Sequence, residues 1–159
     1  MRKDLLYAIS CFAFIIIGGG AVYEHINMVP TWSAAPPISL SMFQGEYGLK
    51  GELFWMMIHP VNLVLLILCL IFHWRSERRK SLLIVIGNYV LILVITTVYF
   101  VPELMSILNT PFATSTDADL TRRASLWETL SLVRLGILVV LSMILLMGLT
   151  KNRSRLGTA

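Results

Sequence analysis

The stretch LFWMMIHPVNLVLLILCLIF, residues 53–72, decides the fold. It contains no Asp, Glu, Lys or Arg, and its residues lack the polar and apolar alternation of a barrel strand. A helix needs about 20 such residues to cross a hydrocarbon core of roughly 30 Å. Because a backbone in lipid must satisfy its hydrogen bonds internally, the stretch predicts a transmembrane helix.

Three further apolar runs, at residues 5–23, 82–101 and 126–149, have similar lengths. The whole chain of 159 residues is 57% hydrophobic and 14% charged, whereas a soluble domain is roughly 45–50% apolar and about 25% charged. This composition excludes a disordered chain and an ordinary soluble enzyme. It also excludes a nucleic-acid-binding domain, despite the net charge of +4.

The sequence therefore predicts one all-α integral membrane domain over residues 1–159. Its architecture is a polytopic four-transmembrane-helix bundle with an outer loop and short-helix cap. The helices are expected at about residues 5–25, 53–73, 81–108 and 125–150, and the outer segments at about residues 26–52 and 109–124.

Basic residues set the expected orientation of this bundle. They crowd on one side of the apolar runs: Arg2, Lys3, Arg75, Arg78, Arg79, Lys80, Lys151, Arg153 and Arg155. The opposite side holds Lys50, Arg122 and Arg123. Because loops rich in Lys and Arg stay in the cytoplasm, both termini are predicted to be cytoplasmic, and the outer segments to face the periplasm or the exterior.

Polar side chains enter the predicted helices near their outer ends. They are Glu24 and His25 on the first helix, His59 and Asn62 on the second, Glu103 on the third, and Glu128 and Arg134 on the fourth. An ionisable group inside a membrane is costly and indicates a functional site. Since neighbouring helices run in opposite directions, we expect these groups to meet in one layer in the outer half of the bundle.

Three interpretations of this layer stay open. Oxygen and nitrogen ligands inside a helix bundle suit iron, copper or zinc. The candidate metal ligands are Glu24, His25, His59, Glu103 and Glu128. The second interpretation is a polar pocket without metal, and the third is a structural network of charges. The expected cofactor is thus a metal, with iron or copper favoured, or no cofactor at all. A haem held by two histidines is less favoured, because the chain has no second pair of histidines.

Two of these residues have alternative explanations. His59 precedes Pro60, which cannot donate a hydrogen bond to the Met56 carbonyl, so the imidazole is either functional or only a partner for that freed oxygen. Arg134 lies well inside the fourth helix and needs a partner there. Its candidate partners are the carboxylates of Glu24, Glu103 and Glu128.

The first outer segment is rich in proline and aromatic residues. Pro30, Pro36 and Pro37 predict a lid-like loop with a short helical piece rather than a continuous helix. The candidate set for binding a flat hydrophobic substrate or cofactor is Trp32, Phe43, Tyr47, Trp127 and Asn62. The second outer segment contains TSTDAD, residues 114–119, for which a solvated connector is favoured over a helix cap.

Four short motifs, spanning nearly the whole chain, carry a family resemblance. They are Gly18-Gly19-Gly20 leading to Met28-Val29-Pro30-Thr31-Trp32, Phe43-Gln44-x-x-Tyr47, Tyr99-Phe100-Val101-Pro102-x-Leu104, and Trp127-x-x-Leu130-x-x-x-Arg134. In these motifs the chain resembles the anthrone-oxygenase-like family of small four-helix membrane proteins. Pro102, Trp127 and Arg134 match the family pattern position by position. Glu103 stands where relatives often carry Asn, and Ser131 where His or another polar residue is common.

The resemblance implies an oxygenase that converts an anthrone to an anthraquinone with molecular oxygen. Such an enzyme must deprotonate an activated CH₂ group, for which His59 is the first candidate base, before Glu103 and Glu128. Arg134 is the candidate to stabilise the enolate oxygen. The expected partners are the lipid bilayer and a hydrophobic small molecule, and a homo-oligomer is left open. The alternative is a non-enzymatic membrane subunit, or a lipid- or ligand-binding scaffold, whose polar layer is structural.

Overall fold

The structure is a computed structural model that describes residues 2–151. Its helices are α1 (Arg2–Asn27), the short α2 (Val29–Ser33), α3 (Glu52–Phe72), α4 (Arg78–Ile95), α5 (Val101–Leu108) and α6 (Ala118–Thr150). A π-helical turn (Thr96–Phe100) joins α4 and α5 into one rod. The four segments α1, α3, the rod and α6 are long and apolar enough to cross a membrane, which confirms the predicted four-helix bundle.

The four long helices form a closed ring of neighbours. α1 packs against α3 and α6, and α4 packs against the same two helices. Buried side chains from all four helices fill the centre, among them Phe14, Leu66, Tyr89 and Leu141. Residues far apart in the sequence therefore meet across the ring, and each helix has one face left for the surroundings.

The outward faces of the long helices are apolar. Phe12, Met57, Val98 and Val140 are among the large hydrophobic residues exposed on them. Such a surface is the normal contact of a helix with lipid tails, whereas in water it would favour aggregation. Helix length and surface chemistry together indicate a protein embedded in a membrane and in contact with lipid.

The connection between α1 and α3 covers one end of the bundle, which we call the outer end. The opposite end, where the described chain begins and ends, is the terminal end. The covering segment contains α2 and a 3-10 turn (Ile38–Phe43), in agreement with the lid-like loop expected from its prolines. Its side chains join a second buried cluster that includes Trp32, Leu40, Ile107 and Trp127.

The last helix begins at Ala118, earlier than the sequence predicted. The Asp117 carboxylate accepts hydrogen bonds from the backbone N–H groups of Asp119 and Leu120, at 2.8 and 3.0 Å. It satisfies donors that the first helical turn leaves free. Residues 114–117 do form an exposed connection, but Asp117 also caps the helix, so the preference for a connector over a helix cap is wrong at this residue. Glu128 lies about three turns inside α6.

The terminal end contains an ion pair that the sequence did not predict. Arg78 is buried, and its Nη1 donates to Asp4 Oδ1 at 2.8 Å. Its Nη2 donates to the Leu149 carbonyl at 3.3 Å, and the guanidinium carbon lies 5.0 Å from the centroid of the Tyr7 ring. These contacts join α1, α4 and α6 at this end of the bundle.

Candidate functional site

A chain of polar side chains crosses the outer half of the bundle from α1 to α4. The Trp55 Nε1–H donates to Glu24 Oε1 at 2.8 Å. The Trp55 and His59 rings stack, with centroids 5.4 Å apart and 23° between their planes. His59 Nδ1 shares a hydrogen bond of 2.7 Å with the Tyr89 hydroxyl. The order along this polar chain is therefore carboxylate, indole, imidazole and phenol.

The bond to Tyr89 bears on the alternative explanation of His59. A histidine that only compensated for Pro60 would bond to the Met56 carbonyl within its own helix. The imidazole instead bonds to a side chain of the neighbouring helix α4. His59 therefore links two transmembrane helices and belongs to the polar chain.

A groove between α1 and α3 opens beside this chain. It has a volume of about 440 Å³, and its lining residues are Ile16, Gly19, Gly20, Tyr23, Glu24, Met28, Gly51, Phe54 and Trp55. A Cβ on Gly19 would have no atom within 4 Å, whereas one on Gly20 would lie 2.9 Å from the Phe54 ring. Gly20 therefore lets the Phe54 ring approach α1 closely, and Gly19 leaves open space beside it. Glu24 contributes the only carboxylate of the lining.

Arg134 is held by two hydroxyl groups and an aromatic ring. Its Nη1 donates to Thr96 Oγ1 at 3.1 Å, and its Nη2 donates to Ser131 Oγ at 2.8 Å. The guanidinium carbon lies 4.1 Å from the centroid of the Phe100 ring. None of the carboxylates expected as its partners, Glu24, Glu103 and Glu128, forms a salt bridge with Arg134 within residues 2–151.

Glu103 and Glu128 have partners of their own. Arg123 Nε and Nη2 donate to the two carboxylate oxygens of Glu103 at 2.7 and 3.0 Å. The Ser33 hydroxyl donates to Glu128 Oε2 at 2.7 Å. None of the four candidate catalytic residues lines the groove. The structure thus divides them among separate contacts and does not bring them to one hollow.

The candidate metal ligands are dispersed as well. His25 Nδ1 bonds to the Ala21 carbonyl within its own helix at 2.8 Å. Within residues 2–151, no three side chains of His, Cys, Asp or Glu lie close enough together to hold a metal ion. The structure therefore does not assemble the metal set suggested by the sequence, which is Glu24, His25, His59, Glu103 and Glu128.

The aromatic candidates divide between the core and the surface. Trp32 and Trp127 are buried and meet edge to face, with centroids 5.4 Å apart. The Trp127 Nε1–H donates to the Phe100 carbonyl at 2.9 Å, and Phe43 packs against the same cluster. Tyr47 is 92% exposed. These candidates either belong to the second buried cluster or are exposed, and none of them lines the groove.

Asn62 is the candidate with the most unusual surroundings. Its side chain is fully buried near the Tyr89 hydroxyl, yet neither Oδ1 nor Nδ2 makes a hydrogen bond of normal geometry within the described part of the chain. An unpaired buried amide costs free energy, so such groups are rare in proteins. Asn62 lies three residues after His59 and near the Tyr89 hydroxyl, so its amide lies next to the polar chain.

Sequence reasoning missed Trp55 and Tyr89 as parts of this site. One signal was available, because Trp55 and His59 are four residues apart and such a spacing places two side chains on one helix face. No comparable signal marks Tyr89, since a tyrosine within an apolar run also fits simple packing. Its role depends on which face of α4 meets α3.

Comparisons with known proteins add no relative: no protein-family model, no curated protein and no solved structure matches this chain. The site is therefore interpreted from its own contacts and from the motifs quoted above.

Proposed function

We propose that this protein is a membrane-embedded oxygenase that takes a flat, apolar substrate into the groove between α1 and α3 and removes a proton from it. The observation that carries the proposal is the Glu24 carboxylate, which lines an otherwise apolar groove and is oriented by the Trp55 indole at 2.8 Å. An apolar site with a few placed polar groups is typical of small-molecule binding. The resemblance to the anthrone-oxygenase-like family supplies the reaction class.

The proposal assigns the proton-accepting role to Glu24 rather than to His59. Glu24 lines the groove, whereas the Trp55 ring lies between the groove and the imidazole. His59 and Tyr89 are positioning residues in this account. Their hydrogen bond fixes the imidazole ring against which the Trp55 indole stacks. Arg134 has no step of its own in this account, because its donors are engaged by the hydroxyls of Thr96 and Ser131.

The proposed reaction balances with dioxygen as the only oxidant. Glu24 accepts a proton from the activated CH₂ group of an anthrone, which leaves a carbanion delocalised onto the ring oxygen. The carbanion combines with dioxygen and a proton to give a hydroperoxide. Loss of water from the hydroperoxide forms the second carbonyl. The CH₂ group loses four electrons and two protons, one oxygen atom enters the anthraquinone, and the other leaves as water.

Oxidation of anthrone by the protein in lipid nanodiscs tests this proposal. Oxygen uptake and anthraquinone absorbance are measured for the parent, for Glu24→Gln and for Glu46→Gln, which removes an exposed carboxylate of the outer loop. General-base catalysis contributes roughly 10²–10⁴-fold, so Glu24→Gln is expected to lower the rate above background by about 100-fold or more. Glu46→Gln is expected to keep the parent rate.

Two outcomes contradict the proposal. A folded Glu24→Gln protein that oxidises anthrone as fast as the parent excludes Glu24 as the base. A parent rate equal to that of empty nanodiscs excludes the oxygenase itself.

A non-enzymatic ligand-binding scaffold is the second candidate. It is favoured by the way the polar groups pair with one another, as in the two-point contact between Glu103 and Arg123 and the two hydroxyl contacts of Arg134. Under this candidate, the groove binds anthraquinone saturably without turnover. The variant Gly19→Phe, which introduces a ring where nothing lies within 4 Å, is expected to abolish that binding.

A further inference from the structure

A second hollow lies at the terminal end, between the start of α1 and the connection that follows α3. It has a volume of about 340 Å³ and is lined by Lys3, Phe72, His73, Arg75 and Ser76. Two of these five residues carry a positive charge, and none carries a negative one. We propose that this hollow binds the phosphate headgroup of an acidic phospholipid from the adjacent leaflet, a function independent of the proposed oxygenase.

The charges around the hollow favour an anion. Lys3 and Arg75 are exposed, and neither forms a salt bridge within residues 2–151. The nearby carboxylate of Asp4 is engaged by Arg78 Nη1 at 2.8 Å. Lysine and arginine are the residues that bind lipid phosphates between helices at a membrane surface. The two free cations therefore define the site.

The wall of the hollow is already held in place by its own hydrogen bonds. His73 Nδ1 donates to the Cys69 carbonyl at 2.9 Å, and its Nε2 accepts from Arg78 Nη1 at 3.4 Å. The Ser76 hydroxyl donates to the His73 carbonyl at 2.8 Å. These groups shape the hollow, and the donors left for a phosphate are those of Lys3 and Arg75.

The position of the hollow favours a lipid over a free phosphate ion. Phe72 lines it and is half exposed, and the preceding residue Ile71 is exposed on the same end of α3. Arg79 lies over the Trp74 ring, 5.3 Å from its centroid, and tryptophan is enriched at the level of lipid headgroups. A phospholipid would place its phosphate on the two cations and its acyl chains along the apolar face of α3.

Native mass spectrometry of the full chain measures this binding. Phosphatidylglycerol and phosphatidylcholine compete for the protein, with inorganic phosphate in a separate arm. The test variant is Lys3→Gln with Arg75→Gln, and the matched control is Lys50→Gln with Arg122→Gln, which removes two exposed cations at the outer end. Each cation contributes roughly a five-fold preference for an anionic lipid, so the test variant is expected to lose about 25-fold in selectivity, and the control almost none.

Three results overturn the inference. The first is equal binding of phosphatidylglycerol and phosphatidylcholine by the parent. The second is an equal loss in the test and control variants, which shows an effect of net charge alone. The third is displacement of phosphatidylglycerol by millimolar inorganic phosphate, which shows a soluble-anion site instead of a lipid site.

Discussion

At the scale of single residues, Arg134 shows how this membrane interior accommodates a cation. A guanidinium is flat and less strongly hydrated than an ammonium, so it can lie on an aromatic face while its N–H groups reach polar neighbours. Here the face is the Phe100 ring, and the neighbours are the hydroxyls of Thr96 and Ser131. A lysine has neither the flat face nor the two separated donors. The chemistry of the contact therefore requires arginine.

His73 is expected to make the stability of the protein depend on pH. Burial is the main cause that lowers the pKa of His73 below its ordinary value, and the nearby Arg78 charge acts in the same direction. The folded state thus keeps His73 neutral, while the unfolded chain takes up a proton as the pH falls below about 6.5. The contribution of neutral His73 to the free energy of unfolding is therefore fully present above about pH 6.5 and is lost progressively below it.

The measurement is the melting temperature in detergent between pH 7.5 and 5.5, for the parent and for His73→Gln. The parent is expected to lose more stability across this range than the variant, because the variant has no group to protonate at this position. The other two histidines are present in both proteins and cancel in the comparison. If the melting temperatures of the two proteins fell in parallel with pH, His73 would not contribute to the pH dependence of stability.

At the scale of the helices, the rod formed by α4 and α5 departs from regular geometry at one place. Pro102 has no N–H group to donate to the preceding turn. The π-helical turn (Thr96–Phe100) lies directly before it, and the Val101 N–H bonds back to the Thr96 carbonyl. Such turns frequently occur at functional sites. This one supplies the Thr96 hydroxyl and the Phe100 ring that hold Arg134.

The packing of α1 against α6 depends on Gly148. A Cβ at this position would overlap the Tyr7 hydroxyl, which donates to the Leu145 carbonyl at 2.9 Å. Gly148→Ala is therefore expected to lower the free energy of unfolding by about 2 to 3 kcal/mol, from overpacking and a lost hydrogen bond. Reversible unfolding in mixed micelles measures this change.

Gly136→Ala is the matched control on the same helix. A Cβ on Gly136 would meet no atom within 4 Å, and replacing glycine by alanine in a helix favours the helix by roughly 0.5–1 kcal/mol. The control is thus expected to be neutral or stabilising. Equal effects of the two substitutions would contradict the close approach of α1 and α6.

The helices themselves were largely predictable, because their length follows from the thickness of the membrane. The start of α6 was not, since its cap Asp117 lies in a polar stretch that also fits a connector. The π-helical turn before Pro102 was not predicted either, because a proline shows only that one backbone N–H is missing. Local sequence thus determines where a helix crosses the membrane, and tertiary contacts determine its irregularities.

At the scale of the whole molecule, the two hollows lie at opposite ends of the bundle. The groove opens between α1 and α3 at the outer end, and the basic hollow lies between the start of α1 and the connection that follows α3. The groove has glycines on α1 and the rings of Phe54 and Trp55 on α3. Under the proposed function, an apolar substrate reaches Glu24 between these two helices.

The candidate site was only partly predictable from the sequence. Polar residues in the outer half of the helices could be identified one by one, and Glu24 and His59 do belong to one polar chain through Trp55. The pairing of Glu103 with Arg123 could not be foreseen, because it depends on how α5 and α6 are rotated about their axes. The sequence indicates how deep a side chain lies in the membrane. Its contacts depend on the rotation of each helix about its axis and on which helices are neighbours. The cytoplasmic location of the termini stays a prediction.

The central claim, that Glu24 removes a proton from a substrate in the groove, is tested most directly without oxygen. Anthrone is added to nanodisc-embedded protein in D₂O under argon, and the loss of its CH₂ proton signal is followed by nuclear magnetic resonance. We predict saturable acceleration of the exchange by the parent and by Glu46→Gln, and an acceleration about 100-fold smaller for Glu24→Gln. Exchange in Glu24→Gln as fast as in the parent, or no acceleration by the parent, would contradict the account.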